Sequence, residues 1–133
     1  MKRPIISNEP LSSGGLPETV VPKIAVEAAR ALVASGDAVI LDVRDTAEVQ
    51  QTGKAKGALH IPRGSLEFRA DITAGSRHPD LSPDKTVILY CAAGSRAALA
   101  GAMLKDMGYK DVRNVGGFKD WADAGGEIEP PAR

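Results

Sequence analysis

An apolar run that ends at a lone cysteine is the strongest constraint on how this chain can fold. Thr86-Val-Ile-Leu-Tyr90 leads into Cys91, the only cysteine, then into Ala92-Ala93-Gly94-Ser95-Arg96 and the alanine-rich stretch Ala97-Ala98-Leu99-Ala100. A short, continuous apolar run of this kind reads as a buried strand. The glycine-containing loop and the helix-forming residues behind it predict a turn that feeds directly into a helix. The cysteine would then sit before the unpaired backbone N–H groups of a helix start. Such groups attract anions and favour a thiolate over a thiol. The pattern points to a cysteine nucleophile that works on, or carries, an anionic group.

The same alternation of short strands and helices runs through the rest of the chain. Val20-Val21 reads as an edge strand. Pro22 opens a helix carrying Ala25, Ala28, Ala29, Leu32 and Val33 at helical spacing, with Gly36 as its stop. Ala38–Asp42 is a buried strand, and Asp45-Thr46-Ala47-Glu48 has capping-box spacing, predicting a short helix that ends before Gly53. Ala58–Ile61 is a brief strand stopped by Pro62. The polar segment 64–84 holds a helix near Ser65–Ile72. After the cysteine loop the helix places Leu99, Met103 and Met107 on one stripe, with Ala100 and Leu104 beside it, and stops at Gly108. Asp111–Val115 is the last strand, Gly116-Gly117 a turn, and Phe118–Ala124 a closing helix ended by Gly125. Strands separated by helices require crossovers, so the expected fold is α/β, with about five short parallel strands covered by helices on both faces.

A length of 133 residues suits one domain, expected over residues 19–127. Residues 1–18, rich in proline, glycine and serine, read as a poorly ordered lead-in, and residues 128–133 as a frayed tail. Seventeen basic side chains balance seventeen acidic ones, which argues against nucleic acid or an anionic membrane as partner. No apolar run approaches the roughly 20 residues that span a bilayer, and no apolar stretch follows Lys2-Arg3 as a secretory signal requires. One cysteine leaves no intramolecular disulfide and no multi-cysteine metal site. A thiol kept free suits a reducing compartment, so a cytoplasmic location is expected.

A helix terminus contributes roughly 0.3–1 kcal/mol, and one pKa unit corresponds to about 1.4 kcal/mol. The dipole alone is too weak to ionise a thiol fully at neutral pH. Several loop N–H groups must converge on the sulfur, and a nearby cation adds to them. Gly94 can adopt a positive φ and so let consecutive N–H groups form a nest. Arg96 supplies a cation and Ser95 a hydroxyl donor. A cation at a helix N-terminus is electrostatically unfavourable unless an anion lies beside it, so Arg96 implies one. The plainer alternatives are a solvated Arg96 and a Cys91 that merely fills the core, as free cysteines often do.

Cys91-Ala-Ala-Gly-Ser-Arg96 followed by an alanine-rich helix resembles the active-site loop of the rhodanese (thiosulfate sulfurtransferase) family. Three further segments match in the family's order: Asp42-Val43-Arg44 with downstream Glu48, Gly57-Ala-Leu-His60-Ile-Pro62, and Gly116-Gly117-Phe118-Lys-Asp-Trp121. The resemblance spans roughly residues 20–126. Gly53-Lys54-Ala55-Lys56-Gly57 departs from the family's usual Gly-His-Ile-x-Gly, a change expected to alter a surface turn. The resemblance implies a three-layer rhodanese-like fold and sulfur transfer without metal or organic cofactor. Cys91 would take the outer sulfur of thiosulfate or a similar donor and hold it as a persulfide. Cyanide, a small thiol or a protein would then accept it. The backbone N–H groups of Ala92, Ala93, Gly94, Ser95 and Ala97 would cradle the persulfide, and Arg96 would help to bind the anionic donor. His60, Asp42, Arg44 and Trp121 read as structural, and His78 as a solvated loop residue. A monomer or a homodimer fits equally.

Two other functions compete. A cysteine phosphatase or arsenate reductase resembles this scaffold but carries five residues between cysteine and arginine, whereas four separate Cys91 from Arg96. The tighter ring favours sulfur over phosphate. A non-catalytic binding module of the same fold often lacks the cysteine that this chain retains.

Overall fold

The computed structural model describes residues 21–131. Its centre is β4 (Thr86–Cys91), whose side chains alternate between two cores, as the pleat of a strand dictates. Val87, Leu89 and Cys91 enter one core, and Ile88 and Tyr90 enter the other. Three further parallel strands flank it: β1 (Ala38–Asp42), β3 (Leu59–His60) and β5 (Val112–Gly117), in the order β3-β1-β4-β5. β1 pairs with β4 in unbroken register from Ala38 opposite Thr86 to Asp42 opposite Tyr90. The β4–β5 register slips by one residue, with Leu89 opposite Asn114 and Tyr90 opposite Gly116.

Helices cover both faces, giving the expected three layers. The core around Ile88 and Tyr90 takes Val26 and Ala29 from α1 (Val26–Ala34) and Trp121 from α5 (Phe118–Asp123). The opposite core takes Leu66 and Ala70 from α3 (Leu66–Ala70), and Ala97, Ala100 and Leu104 from α4 (Ser95–Asp106). α2 (Thr46–Thr52) follows β1, and the Asp45 N–H donates to Glu48 Oε1 at 2.9 Å, one half of the box read from the sequence.

Several expectations are corrected. Among the described residues the parallel sheet has four strands, where about five were expected. Of the proposed edge strand, Val20 lies outside the described residues and Val21 is a buried bend; the pairing falls instead on an isolated bridge between Lys23 and Asn114. Because the Ile24 N–H still donates to the Asn114 carbonyl at 3.1 Å, the helix cannot start at Pro22 and begins at Val26. In α4 Leu99 is 54% exposed, and the buried side is Ala97, Ala100, Gly101 and Leu104. Only Leu99 leaves the expected stripe: Met103 and Met107 pack against the same core beside the fully buried Leu104. Gly116 and Gly117 end β5 rather than forming a turn. Ile128 and Glu129, assigned to a tail, form β6 and pair antiparallel with β2 (Lys54–Ala55). The Lys54–Ala55 departure is therefore no surface turn: Ala55 is fully buried and its N–H donates to the Tyr90 hydroxyl at 2.9 Å. The lead-in assigned to residues 1–18 lies outside the described residues.

Candidate active site

β4 runs through Cys91 itself and delivers it to the carboxyl end of the sheet, where ligands bind in open α/β folds. Gly94 then turns the chain with φ at +101° and serves as the cap of α4. That left-handed turn, cheap only for glycine, brings the Gly94 N–H back to 2.9 Å from Cys91 Sγ. The Ala97 N–H, from the first turn of α4, reaches the same sulfur at 3.4 Å. Of the five loop residues expected to cradle the sulfur, Gly94 and Ala97 bond it here, while Ala92, Ala93 and Ser95 form the exposed rim. Cys91 is 1% exposed, so its sulfur lies below that rim. The end of β5 closes the ring from behind: a Cβ on Gly117 would fall 2.3 Å from the Ala92 carbonyl oxygen, a distance only glycine avoids.

The anion implied by Arg96 is Glu48, 48 positions away on α2. Two guanidinium nitrogens donate to the two carboxylate oxygens at 2.8 and 2.9 Å, and Asp45 lies 3.9 Å off. This fork-on-fork bond is the strong form of the arginine–carboxylate pair and uses two of the five guanidinium N–H bonds. The hydrogen bond from Arg96 outweighs partial desolvation and holds the Glu48 carboxyl at about 2, against an ordinary 4.5. The same bond raises Arg96 above its ordinary value. The sequence placed Glu48 in a helix cap and in a family-like segment, with no role at the sulfur. Its spacing from Asp45 explains the cap, and nothing local could reveal the pair with Arg96.

Beneath the loop a second pair is sealed off. Arg44 donates to Asp42 at 2.7 Å, to Thr52 Oγ1 at 2.8 Å and to the Gly53 carbonyl at 2.7 Å, and its guanidinium carbon lies 4.3 Å from the Phe118 ring centroid. The Tyr90 hydroxyl donates to Asp42 at 2.7 Å, and burial pushes that phenol above its ordinary value. His60 Nε2 donates to the Arg44 carbonyl at 2.8 Å, and Trp121 is buried under α5 with its indole N–H on the Glu127 carbonyl. These residues brace the sheet end, as the sequence suggested. His78 lies in a loop, partly exposed, its Nδ1 accepting the Asp80 N–H at 3.0 Å.

Two open clefts flank the loop, one of about 450 Å³ beside Ala93, Gly94 and Ser95, the other of about 260 Å³ between Ala92, Glu48 and Phe118. Cys91 lines neither. Among the described residues no three His, Cys, Asp or Glu side chains could hold a metal ion, and no helix is long and apolar enough to cross a membrane.

Comparison with known proteins agrees with this geometry. A proposed sulfur carrier protein of Bacillus subtilis is 33% identical over 76% of this chain, which spans about half (51%) of that protein's length. Human thiosulfate:glutathione sulfurtransferase is 31% identical, the match covering 77% of this chain and 94% of that one. A solved structure from Rhodopseudomonas palustris, a protein of unknown function described as a possible tyrosine phosphatase, is 40% identical with a TM-score of 0.76 over 85% of this chain and 88% of that one. Sulfurtransferase relatives of a shared fold support sulfur transfer as the general chemistry. Residues 25–124 match the rhodanese-like domain model, and the chain belongs to that family.

Proposed function

We propose that this protein is a sulfurtransferase that carries sulfane sulfur on Cys91. The Cys91 thiolate attacks the outer sulfur of thiosulfate or a similar donor. A Cys91 S–S bond forms, the donor's S–S bond breaks, and its electron pair leaves with sulfite. Cyanide, a small thiolate or a protein thiolate then attacks the outer sulfur of the persulfide and returns Cys91 as thiolate, so charge balances in both halves. One observation carries this reading: two backbone N–H groups at a helix start converge on the only sulfhydryl of the chain. They offer an anionic sulfur the stabilisation that preorganised donors give developing charge. Arg96, with three N–H bonds beyond its pair with Glu48, is the group we assign to the donor's sulfonate, with the rim of Ala92, Ala93 and Ser95 around it. A free thiol also suits the reducing cytoplasm.

Phosphate-ester hydrolysis is the competing reading, favoured by the description of the Rhodopseudomonas palustris protein. The four-residue loop and the engagement of Arg96 by Glu48 favour sulfur instead. Incubation with thiosulfate should add the mass of one sulfur atom to wild type and none to Cys91→Ser, by intact mass spectrometry. Cys91 is 1% exposed, so the same spectrum tests whether the donor reaches it. Hydrolysis of p-nitrophenyl phosphate with no sulfur gained would instead establish the phosphatase.

A further inference from the structure

We infer that Asn114 is a positioning residue of the sulfur site, an inference that rests on the sulfur-transfer reading above. Asn114 lies in β5 at the slip in register against β4 and is 6% exposed. A buried amide must find partners for both of its ends. Its Oδ1 accepts the Gly116 N–H at 2.8 Å, a bond that spans the register slip within β5. That bond fixes the amide's orientation, because an N–H can be met only by the oxygen end. The Nδ2 group is thereby aimed at the loop, where it donates to the Gly94 carbonyl at 3.0 Å.

The Gly94 carbonyl already accepts the first bond of α4, from the Ala98 N–H at 3.0 Å. The helix cap is complete without Asn114. The second bond ties the apex of the loop to a neighbouring strand, through the same glycine whose N–H stands 2.9 Å from Cys91 Sγ. Gly94 is held at φ +101°, and its neighbour across the gap is Gly116, whose Cα would lie 3.4 Å from a Cβ built on Gly94. One side chain thus sets both glycines that face each other behind the sulfur. The backbone of Asn114 is itself clamped: its N–H donates to the Pro22 carbonyl at 2.9 Å and its carbonyl accepts the Ile24 N–H. The side chain projects from a strand held on both sides, so its hold on Gly94 is stiff. Asn114 touches no sulfur. It acts by keeping the Gly94 N–H aimed at one.

Two substitutions separate the two ends of the amide. Asn114→Ser retains a short oxygen for the Gly116 N–H and removes the donor to Gly94. Asn114→Asp retains the oxygen and sets a carboxylate against the Gly94 carbonyl. The measurement is single-turnover sulfur uptake from thiosulfate, followed by mass spectrometry well below each variant's melting temperature. Val112→Ala, a core truncation in the same strand, serves as the stability control. We expect both Asn114 variants to load sulfur about tenfold more slowly, the equivalent of about 1.4 kcal/mol in the barrier. The thiosulfate concentration giving half-maximal rate should stay within about twofold, and Val112→Ala should load at the wild-type rate. If Asn114→Asp fails to fold, Asn114→Ser alone decides. A folded Asn114→Ser that loads at the wild-type rate overturns the inference, as does an equal slowing in Val112→Ala. Wild type that takes up no sulfur instead removes the sulfur-transfer reading itself.

Discussion

Arg44 and Arg96 each face a carboxylate, at 2.7 Å and 2.8 Å, yet the two pairs are built for different work. The side chains of Arg44 and Asp42 are 3% and 0% exposed, whereas those of Arg96 and Glu48 are 34% and 32% exposed. The buried pair is enclosed by Thr52, the Gly53 carbonyl, the Tyr90 hydroxyl and the Phe118 ring. Burial disfavours the charge on Arg44, but the hydrogen bonds and charge of Asp42 win and raise it above its ordinary value. Neither partner can be removed without stranding the other in a dry site. The outer pair stands half in water, where the net worth of an ion pair falls to about 1 kcal/mol or less. An arginine paired at the surface keeps its charge near the loop and retains N–H bonds for an incoming anion. Equal chemistry thus yields a brace at one depth and a candidate binding group at another.

The largest expected effect lies with the buried pair. Arg44→Met removes the guanidinium from the buried Asp42 carboxyl, and should lower unfolding free energy by about 3–5 kcal/mol in denaturant titration. A loss below about 1 kcal/mol would erase the distinction between the two pairs. Arg96→Ala should reverse the pattern. Its stability should change by no more than about 1 kcal/mol, while kcat/KM for thiosulfate falls at least about tenfold, as loss of a charge-assisted contact implies. Unchanged turnover would take Arg96 out of the site.

The smallest effect sharpens the comparison by pH. Glu48 stands at about 2 in the folded chain against an ordinary 4.5. A lowered carboxyl contributes its full stability above pH 4.5 and loses it progressively as pH falls toward 2. Screening by water limits that contribution to about 1 kcal/mol. Glu48→Gln should therefore be slightly less stable than wild type at pH 7, with the gap closing in acid. A gap that persists unchanged to pH 2 would assign the stability to packing rather than charge.

Much of the site was legible because it is local. The strand, the cysteine, Gly94 and the start of α4 occupy consecutive positions, and steric rules for a left-handed turn act within a few residues. The fold class was legible for the same reason, since periodicity and caps mark short elements wherever they stand. Arg96 signalled that an anion was needed, but not which one. Glu48 and Asn114 were hidden because their second partners lie 48 and 20 positions away in the chain.

Sequence alone determined that a lone thiol would end a buried strand at the foot of a helix, since propensity and glycine sterics operate between neighbours along the chain. Tertiary structure decided that the sulfur would sit beneath its loop and that Leu99 of α4 would face away from the core. It also decided that Ile128–Glu129 would pair with Lys54–Ala55 and that Glu48 would answer Arg96. Those outcomes depend on which distant groups packing brings within a few ångströms, and no short-range rule carries that information.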